Sequence, residues 1–322
     1  MNTIQKFIAI YSFAAIAIFF TAPYVLKSVG ANFLSESRDN LTARVGFVVS
    51  DTKEEVTEPA FLPVTIDPAT LEAKAAIVYD LKNGVVLFEK NAQVQLPLAS
   101  ITKLMTAHVA HTVLGEGDIV VITNSALSRE GDSSLLPQEQ WSARTLSDFM
   151  LMTSSNDAAA ALAGAVGKKI ATEGELPHDA FIRAMNSSAN DIGLRNTKFI
   201  DETGLDSEAG IATAYGSAQD VATLLGYLVR TESSILEATT ASTAVYTSQS
   251  GVSHAARNTN ESIPNIPSLI AGKTGYTDLA GGNLAIVFDR GISNPVAIVV
   301  LGSSKDGRFP DVQKLVQATL PQ

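Results

Sequence analysis

The sequence predicts an α/β fold of the α+β kind: an antiparallel sheet built from N- and C-terminal strands, covered by helices, with a helical second lobe. Three observations predict it. A strand–turn–strand pattern opens the globular part of the chain, a second one stands near its C-terminus, and the stretch between them is patterned at helical spacing. The first pattern is a short apolar run at 75–79, the turn signal Asn83-Gly84, and a second run at 85–88. The later one is 284–288, a turn around 291–295, and 296–301, followed by a closing helix over 309–320. In between, Ile101, Leu104, Met105, His108 and Val109 sit at i, i+3, i+4, i+7 and i+8, which predicts one apolar helix face. Thr145-Leu146-Ser147-Asp148 reads as a capping box starting a helix, 157–166 is alanine-rich and helical, and Ser217-Ala218-Gln219-Asp220 is a second capping box. Behind it Val221, Leu224, Leu225, Leu228 and Val229 repeat the helical spacing. No internal repeat or low-complexity tract interrupts the chain.

Of 322 residues, 46% are hydrophobic and 17% charged, which excludes a collagen-like or wholly disordered chain and leaves ample material for a core. The net charge of −10 and the lack of a basic run exclude an ordinary duplex nucleic-acid binder. With no cysteine there are no disulfides, thiolate metal sites or cysteine nucleophile. Residues 7–26 carry no charge and are flanked by Lys6 and Lys27; at helical rise they span about 30 Å, one bilayer core. That length favours an uncleaved transmembrane anchor behind a short cytoplasmic tail, 1–6, while Val29-Gly30-Ala31 supplies the cleavage site of the alternative, a signal segment. Either reading exports the rest. Residues 27–68, with Glu54, Glu55, Glu58, Pro59 and Pro63, read as a stalk, and 69–322 as the globular domain.

Three short motifs could carry chemistry. Ser100-Ile101-Thr102-Lys103 puts a hydroxyl and an amine one helical turn apart. A serine needs a base to take its proton, and a lysine serves only when burial or a nearby cation lowers its pKa. The pattern alone is weak, since Ser50-Asp51-Thr52-Lys53 in the stalk also fits it. Ser154 and Asn156 fall on a break between two helical runs, where Ser154 could pass a proton and the Asn156 amide could hold a carbonyl; a helix cap is the plain alternative. Lys273-Thr274-Gly275 suits a carboxylate, with a glycine that lets a ligand backbone approach; an ordinary turn is the alternative. Of the four histidines, His108 and His111 are three apart, but no H-E-x-x-H is present, and His108 falls on the apolar face; all four read as core or surface residues rather than metal ligands.

In combination and in this order, the three motifs resemble the set of the serine β-lactamases and penicillin-binding proteins. The resemblance is specifically to the low-molecular-mass D-alanyl-D-alanine carboxypeptidases and their endopeptidase relatives. It extends through the segment from Pro97 to Ala107, through Met152 to Ala159, the F-x-(N/D)-x-T-G-L stretch Phe199 to Leu205, Asn258-Thr259-Asn260, and Tyr276-Thr277 with Ala280-Gly281 after Lys273-Thr274-Gly275. It covers the chain from about Leu71 onward. What it implies is a catalytic domain over 69–322 in which Ser100 attacks the carbonyl between two D-alanines of a peptidoglycan stem peptide. Lys103 would take the proton, Ser154 would relay one to the departing amine, and Asn156 would orient the substrate. Lys273 and Thr274 would hold the terminal carboxylate, Gly275 and Tyr276 would complete the substrate-binding segment, and the N–H groups of Ser100 and Tyr276 would form an oxyanion hole. It implies no metal or cofactor, β-lactams as inhibitors, and a place in the cell envelope. The domain would be tethered to the membrane or, after signal cleavage, free outside it. The chain ends 47 residues after Gly275, too few for the extra β-rich domain and C-terminal anchor helix of some members. A DD-endopeptidase stays open beside the carboxypeptidase. So do a β-lactamase, for which Glu202-Thr203-Gly204-Leu205-Asp206 superficially matches an E-x-x-L-N loop, and a non-catalytic penicillin sensor.

Overall fold

The structure, a computed structural model, describes residues 65–131, 134–291 and 293–320. The expected membrane segment at 7–26, most of the stalk and the Ser50–Lys53 match lie outside the described residues. Among those described, no helix is long and apolar enough to cross a membrane.

In chain order the elements are β1 Ala75–Asp80, β2 Val85–Lys90, β3 Leu96–Pro97, α1 Lys103–Val113, β4 Ile119–Val121, β5 Gln140–Ser142, α2 Ala143–Thr153, α3 Asn156–Ile170 and α4 Pro177–Ile192. They continue with β6 Lys198–Phe199, β7 Ala214–Gly216, α5 Ala218–Thr231, β8 Thr243–Thr247, β9 Ser253–Arg257, β10 Leu269–Thr277, β11 Gly281–Asp289, β12 Pro295–Ser303 and α6 Arg308–Thr319. The main sheet runs β10-β11-β12-β1-β2 and is antiparallel throughout, so the two ends of the domain interleave as expected. The sequence pattern of its central strand follows from burial on both faces. Val296, Ile298 and Val300 of β12 join Val312, Leu315 and Val316 of α6 in one core, and Ala297, Val299 and Leu301 join the larger core that holds α1 and α5. A strand covered on both sides reads as an unbroken apolar run, and each fully buried aliphatic side chain contributes about 1.5–3 kcal/mol.

The opening hairpin turns over four residues rather than two. Asp80 is the cause: its carboxylate accepts the amides of Lys82 (3.0 Å) and Asn83 (2.9 Å), and its carbonyl accepts that of Gly84 (2.9 Å), which sits at φ 68°. In the helical lobe α1 differs from its expected single apolar face. It is buried at every position from Lys103 to Ala110, because α2, α3 and α4 surround it. Its polar residues are each satisfied internally: Thr106 donates to the Glu202 carbonyl (2.6 Å), and His108 meets the Glu232 carboxylate (2.8 Å). Helix α2 begins two residues before the expected capping box. Ser142 is the cap, its hydroxyl accepting the Thr145 amide at 3.2 Å. The Ser217 cap of α5 is as expected, accepting the Asp220 amide at 3.1 Å.

Candidate active site

Ser100 lies on a 3₁₀ turn, Ala99–Thr102, that leads directly into α1, whose first residue is Lys103. With three residues per turn, a 3₁₀ segment eclipses i and i+3, so the Lys103 side chain rises beside Ser100. Its Nζ is 2.8 Å from Ser100 Oγ, 2.7 Å from Asn156 Oδ1 and 2.9 Å from the Thr203 carbonyl. Two of these neighbours can only accept. A neutral amine therefore donates its two N–H bonds to Asn156 and Thr203 and turns its lone pair to the serine hydroxyl. The side chain is fully buried, and desolvation lowers its pKa to about 7 against the opposing pull of Asp201 and Glu202.

The break expected between helices is present. Helix α2 ends at Thr153, Ser154 is left-handed at φ 63°, and Ser155 caps α3 by accepting the Ala158 amide at 3.0 Å. The capping role falls to Ser155, which leaves Ser154 and Asn156 for the cleft. Asn156 is held at both ends of its amide: Oδ1 accepts from Lys103, and Nδ2 donates to the Glu130 carbonyl at 2.7 Å. In this structure it orients the lysine, a job the sequence reading did not give it.

Lys273, Thr274 and Gly275 lie on β10, an edge strand of the main sheet, and not in a turn. Lys273 Nζ donates to Ser154 Oγ at 2.9 Å and to the Thr274 carbonyl at 2.9 Å. Burial, and next the charges of Lys103 and Arg308, push its pKa well down. Thr274 Oγ1 pairs with Thr259 Oγ1 at 2.6 Å, and the Thr259 amide donates to the Met152 carbonyl at 3.2 Å, so Asn258-Thr259-Asn260 ties β10 to the end of α2. Gly275 is where β10 meets the serine turn: a Cβ there would lie 2.8 Å from the Leu98 carbonyl and 3.2 Å from the Ile101 amide. Only glycine lets β10 lie against the Ser100 turn. Tyr276 is 42% exposed at the rim, with Lys305 Nζ 5.3 Å from its ring centroid.

The structure thus brings together Ser100, Lys103 and Asn156 as one hydrogen-bonded group and Ser154 with Lys273 as another, with Gly275 packing β10 onto the serine turn. A cavity of about 360 Å³ lined by Ser154, Asn156, Thr153, Gly131 and Ala255 opens beside them.

Four side chains of the site were given no role in it from sequence, although two of them, Asp201 and Glu202, fall in the Phe199–Leu205 stretch. Asn283 on β11 is fully buried and donates to the carbonyls of Pro97 and Leu98, both at 3.0 Å, while accepting the Gly302 amide at 2.8 Å. It fastens the chain before Ser100 to the sheet; its one signal is an amide inside an apolar run. Arg308, at the start of α6, donates to the Gly275 carbonyl at 2.8 Å. Asp201 caps the turn whose Thr203 carbonyl holds Lys103, accepting the amides of Thr203 (2.6 Å) and Gly204 (3.2 Å) and the Thr203 hydroxyl. Glu202 directs its carboxylate away from Lys103, toward Arg129 at 2.6 Å and His178 at 3.2 Å.

A hydroxyl held against a buried amine, beside a second buried lysine on an edge strand, is equipped for acyl transfer to serine. Comparison with known proteins agrees. Residues 63–305 match the family described as D-alanyl-D-alanine carboxypeptidase. D-alanyl-D-alanine carboxypeptidase DacF of Bacillus subtilis is 29% identical over 261 residues, covering 78% of this chain and 63% of that protein. A D-alanyl-D-alanine endopeptidase of Pseudomonas aeruginosa is 32% identical over 253 residues, 76% of each chain. Among solved structures, penicillin-binding protein D2 of Listeria monocytogenes in its ampicillin-bound form superposes with a TM-score of 0.65 at 30% identity, covering 77% of this chain and 98% of that one. The chain spans 60–63% of the length of the first curated carboxypeptidases it matches. With three-quarters of its length matched by one family, and that family's fold around the paired Ser100 and Lys103, the chain belongs to the D-alanyl-D-alanine carboxypeptidase family.

Proposed function

We propose that this protein hydrolyses D-alanyl-D-alanine bonds in peptidoglycan stem peptides through an acyl-enzyme on Ser100. The observation that carries this reading is the Lys103 Nζ at 2.8 Å from Ser100 Oγ, with its other two neighbours restricted to accepting. Ser100 Oγ attacks the carbonyl carbon of the penultimate D-alanine as its proton passes to Lys103. The amide N–H groups of Ser100 and Tyr276 receive the oxyanion. The C–N bond then breaks, and the departing amine takes a proton through Ser154, which Lys273 contacts at 2.9 Å. Lys273 and Thr274 hold the terminal carboxylate, whose negative charge restores the lysine's proton affinity. Water releases the acyl group and regenerates Ser100. β-Lactams acylate the same serine, in keeping with the ampicillin-bound Listeria relative. The site works in the cell envelope, with residues 7–26 as membrane anchor or export signal.

The test is intact-mass spectrometry of the full chain with benzylpenicillin, alongside D-alanine release from a pentapeptide. A one-to-one adduct and D-alanine release, both lost in Ser100→Ala and kept in Ser50→Ala, are expected. Equal acylation of Ser100→Ala sinks the assignment. Rapid drug loss without a lasting adduct would instead indicate a β-lactamase, a reading that the Glu202 carboxylate, turned to Arg129 and His178, does not favour. Endopeptidase action on cross-links is a second reading. It rests on relatives named D-alanyl-D-alanine endopeptidase, of which the chain spans 76% and 78%. Cleavage of a cross-linked dimer in preference to the pentapeptide would establish it.

A further inference from the structure

The carboxylate of Glu202 is fully buried, yet it touches none of the residues assigned to the chemistry. It is clamped between two side chains from different elements: Arg129, on the loop after β4, and His178, in the first turn of α4. The backbone on either side of that carboxylate is committed to α1. The Glu202 carbonyl accepts the Thr106 hydroxyl at 2.6 Å, and the next carbonyl, of Thr203, accepts the Lys103 amine at 2.9 Å. The residue following Arg129 supplies the Glu130 carbonyl that fixes the Asn156 amide at 2.7 Å. The Arg129–Glu202 contact thus ties the segment that supplies one acceptor of the Lys103 amine, the Thr203 carbonyl, to the segment that holds the other acceptor, the Asn156 amide, in place.

We propose that Glu202, held by Arg129 and His178, is a positioning residue for the Lys103 base, fixing the Thr203 carbonyl and setting by its charge the pH at which the amine becomes free. The inference rests on the reading of Lys103 as the base. Among the described residues, the charged and titratable groups around the amine are few. They are Asp201 and Glu202 on the turn after β6, Arg129, His178 with Asp179 beside it at 3.7 Å, Asp157 buried in the first turn of α3, and Lys273 on β10. Asp201 and Glu202 favour the ammonium; Arg129 opposes them. His178 adds a graded element. The Glu202 hydrogen bond raises its pKa, so on acidification it becomes cationic and offsets part of the Glu202 charge.

The experiment is a titration of Lys103 by ¹³Cε NMR in the full chain labelled at lysine, with its resonance identified by loss in Lys103→Met. In Glu202→Gln, which keeps the shape and an acceptor for Arg129, the midpoint should fall by roughly 0.5–1 unit. In Arg129→Gln, at a side chain that is 34% exposed and tolerant of change, it should rise. Opposite shifts from two variants of one ion pair are not produced by general loosening of the site. The acid limb of the benzylpenicillin acylation rate should move with the midpoints. A midpoint that stays in place in Glu202→Gln overturns the proposal; should that variant fail to fold, an unmoved or lowered midpoint in Arg129→Gln does so. Absence of acylation in the unaltered protein bears on the enzymatic reading alone, because the lysine titration does not depend on it.

Discussion

An amine surrounded by three acceptors is an ammonium; one surrounded by two acceptors and a hydroxyl has a choice. Lys103 has that choice, and burial brings its pKa to about 7. The free amine is needed to take the serine proton, so acylation should rise with pH through about 7 and level off above it. Second-order rates of acylation by benzylpenicillin across pH 5–9 (a range centred on the reference histidine region) check this. A rate that is flat through neutrality would mean that the amine never becomes limiting. Arg308 and Asn283 act at the same scale but through backbone. Neither points at the reacting hydroxyl; each fixes a carbonyl of the segments that meet at Gly275.

At the scale of elements the site is an encounter between a 3₁₀ turn, a broken helix and a strand edge. The encounter is tightest at Gly275. Gly275→Ala should leave the chain folded and lower the acylation rate by at least tenfold, because a methyl 2.8 Å from the Leu98 carbonyl forces β10 away from Ser100. Melting temperature and acylation rate measured together separate the two effects. The Ser155 cap makes a contrasting prediction. Ser155→Ala should cost about 1 kcal/mol of stability by freeing the Ala158 amide, and a urea midpoint reads it.

Much of this was legible in the sequence. Strands 75–79 and 296–301 announced themselves because both faces of the sheet are covered, and the break at Ser154 because two helical patterns end there. Ser100, Lys103, Asn156 and Lys273 became legible through the order of three motifs, since none of them separately outweighs a chance match. The remainder was hidden for physical reasons. Strands β3, β6 and β7 have only two or three residues, too few to show a period. Helix α1 carried a one-face pattern because Lys103 and Thr106 are polar, although each is buried against a partner supplied by distant chain. Glu202 looked like half of a β-lactamase loop until its partners, Arg129 and His178, were placed beside it.

For the whole molecule, two features set stability. One is Asp311 of α6, buried at 1% exposure, whose carboxylate accepts the amides of Glu72 (3.1 Å) and Ala73 (2.8 Å) and the Ser303 hydroxyl (2.9 Å). It joins α6 to the residues just before β1. Asp311→Ala should cost about 2–4 kcal/mol, because buried donors lose their acceptor, and lower the melting temperature by roughly 5–15 °C. Calorimetry checks it. The other is the pair of buried lysines, both with folded pKa below the unfolded value. Between about 7 and the ordinary lysine value of 10.5 the unfolded chain holds a proton at Lys103 that the folded one has released. Unfolding then takes up a proton, so this lysine's burial costs most below pH 7 and progressively less as pH rises through that window. Relative to Lys103→Met, the unaltered protein should therefore gain stability between pH 7 and pH 9. A constant difference between the two proteins would contradict a lowered pKa.

The interleaving of the chain ends in one sheet has a consequence in time. Strand β1 pairs on one side with β2, a few residues away, and on the other with β12, more than two hundred residues later, as in Ala75↔Leu301. Contacts so far apart in sequence are the slow ones to form, since a long loop must close before anything is gained. As the chain is synthesised, its first hairpin has no lasting partner until the stretch from Pro295 emerges. Until then β10 and β11 cannot dock on β1, and the wall opposite Ser100 is missing. The turn that carries Ser100 therefore gains its opposing wall only when the C-terminal strands have paired, and a chain that stalls before that step carries every residue of the site and no site.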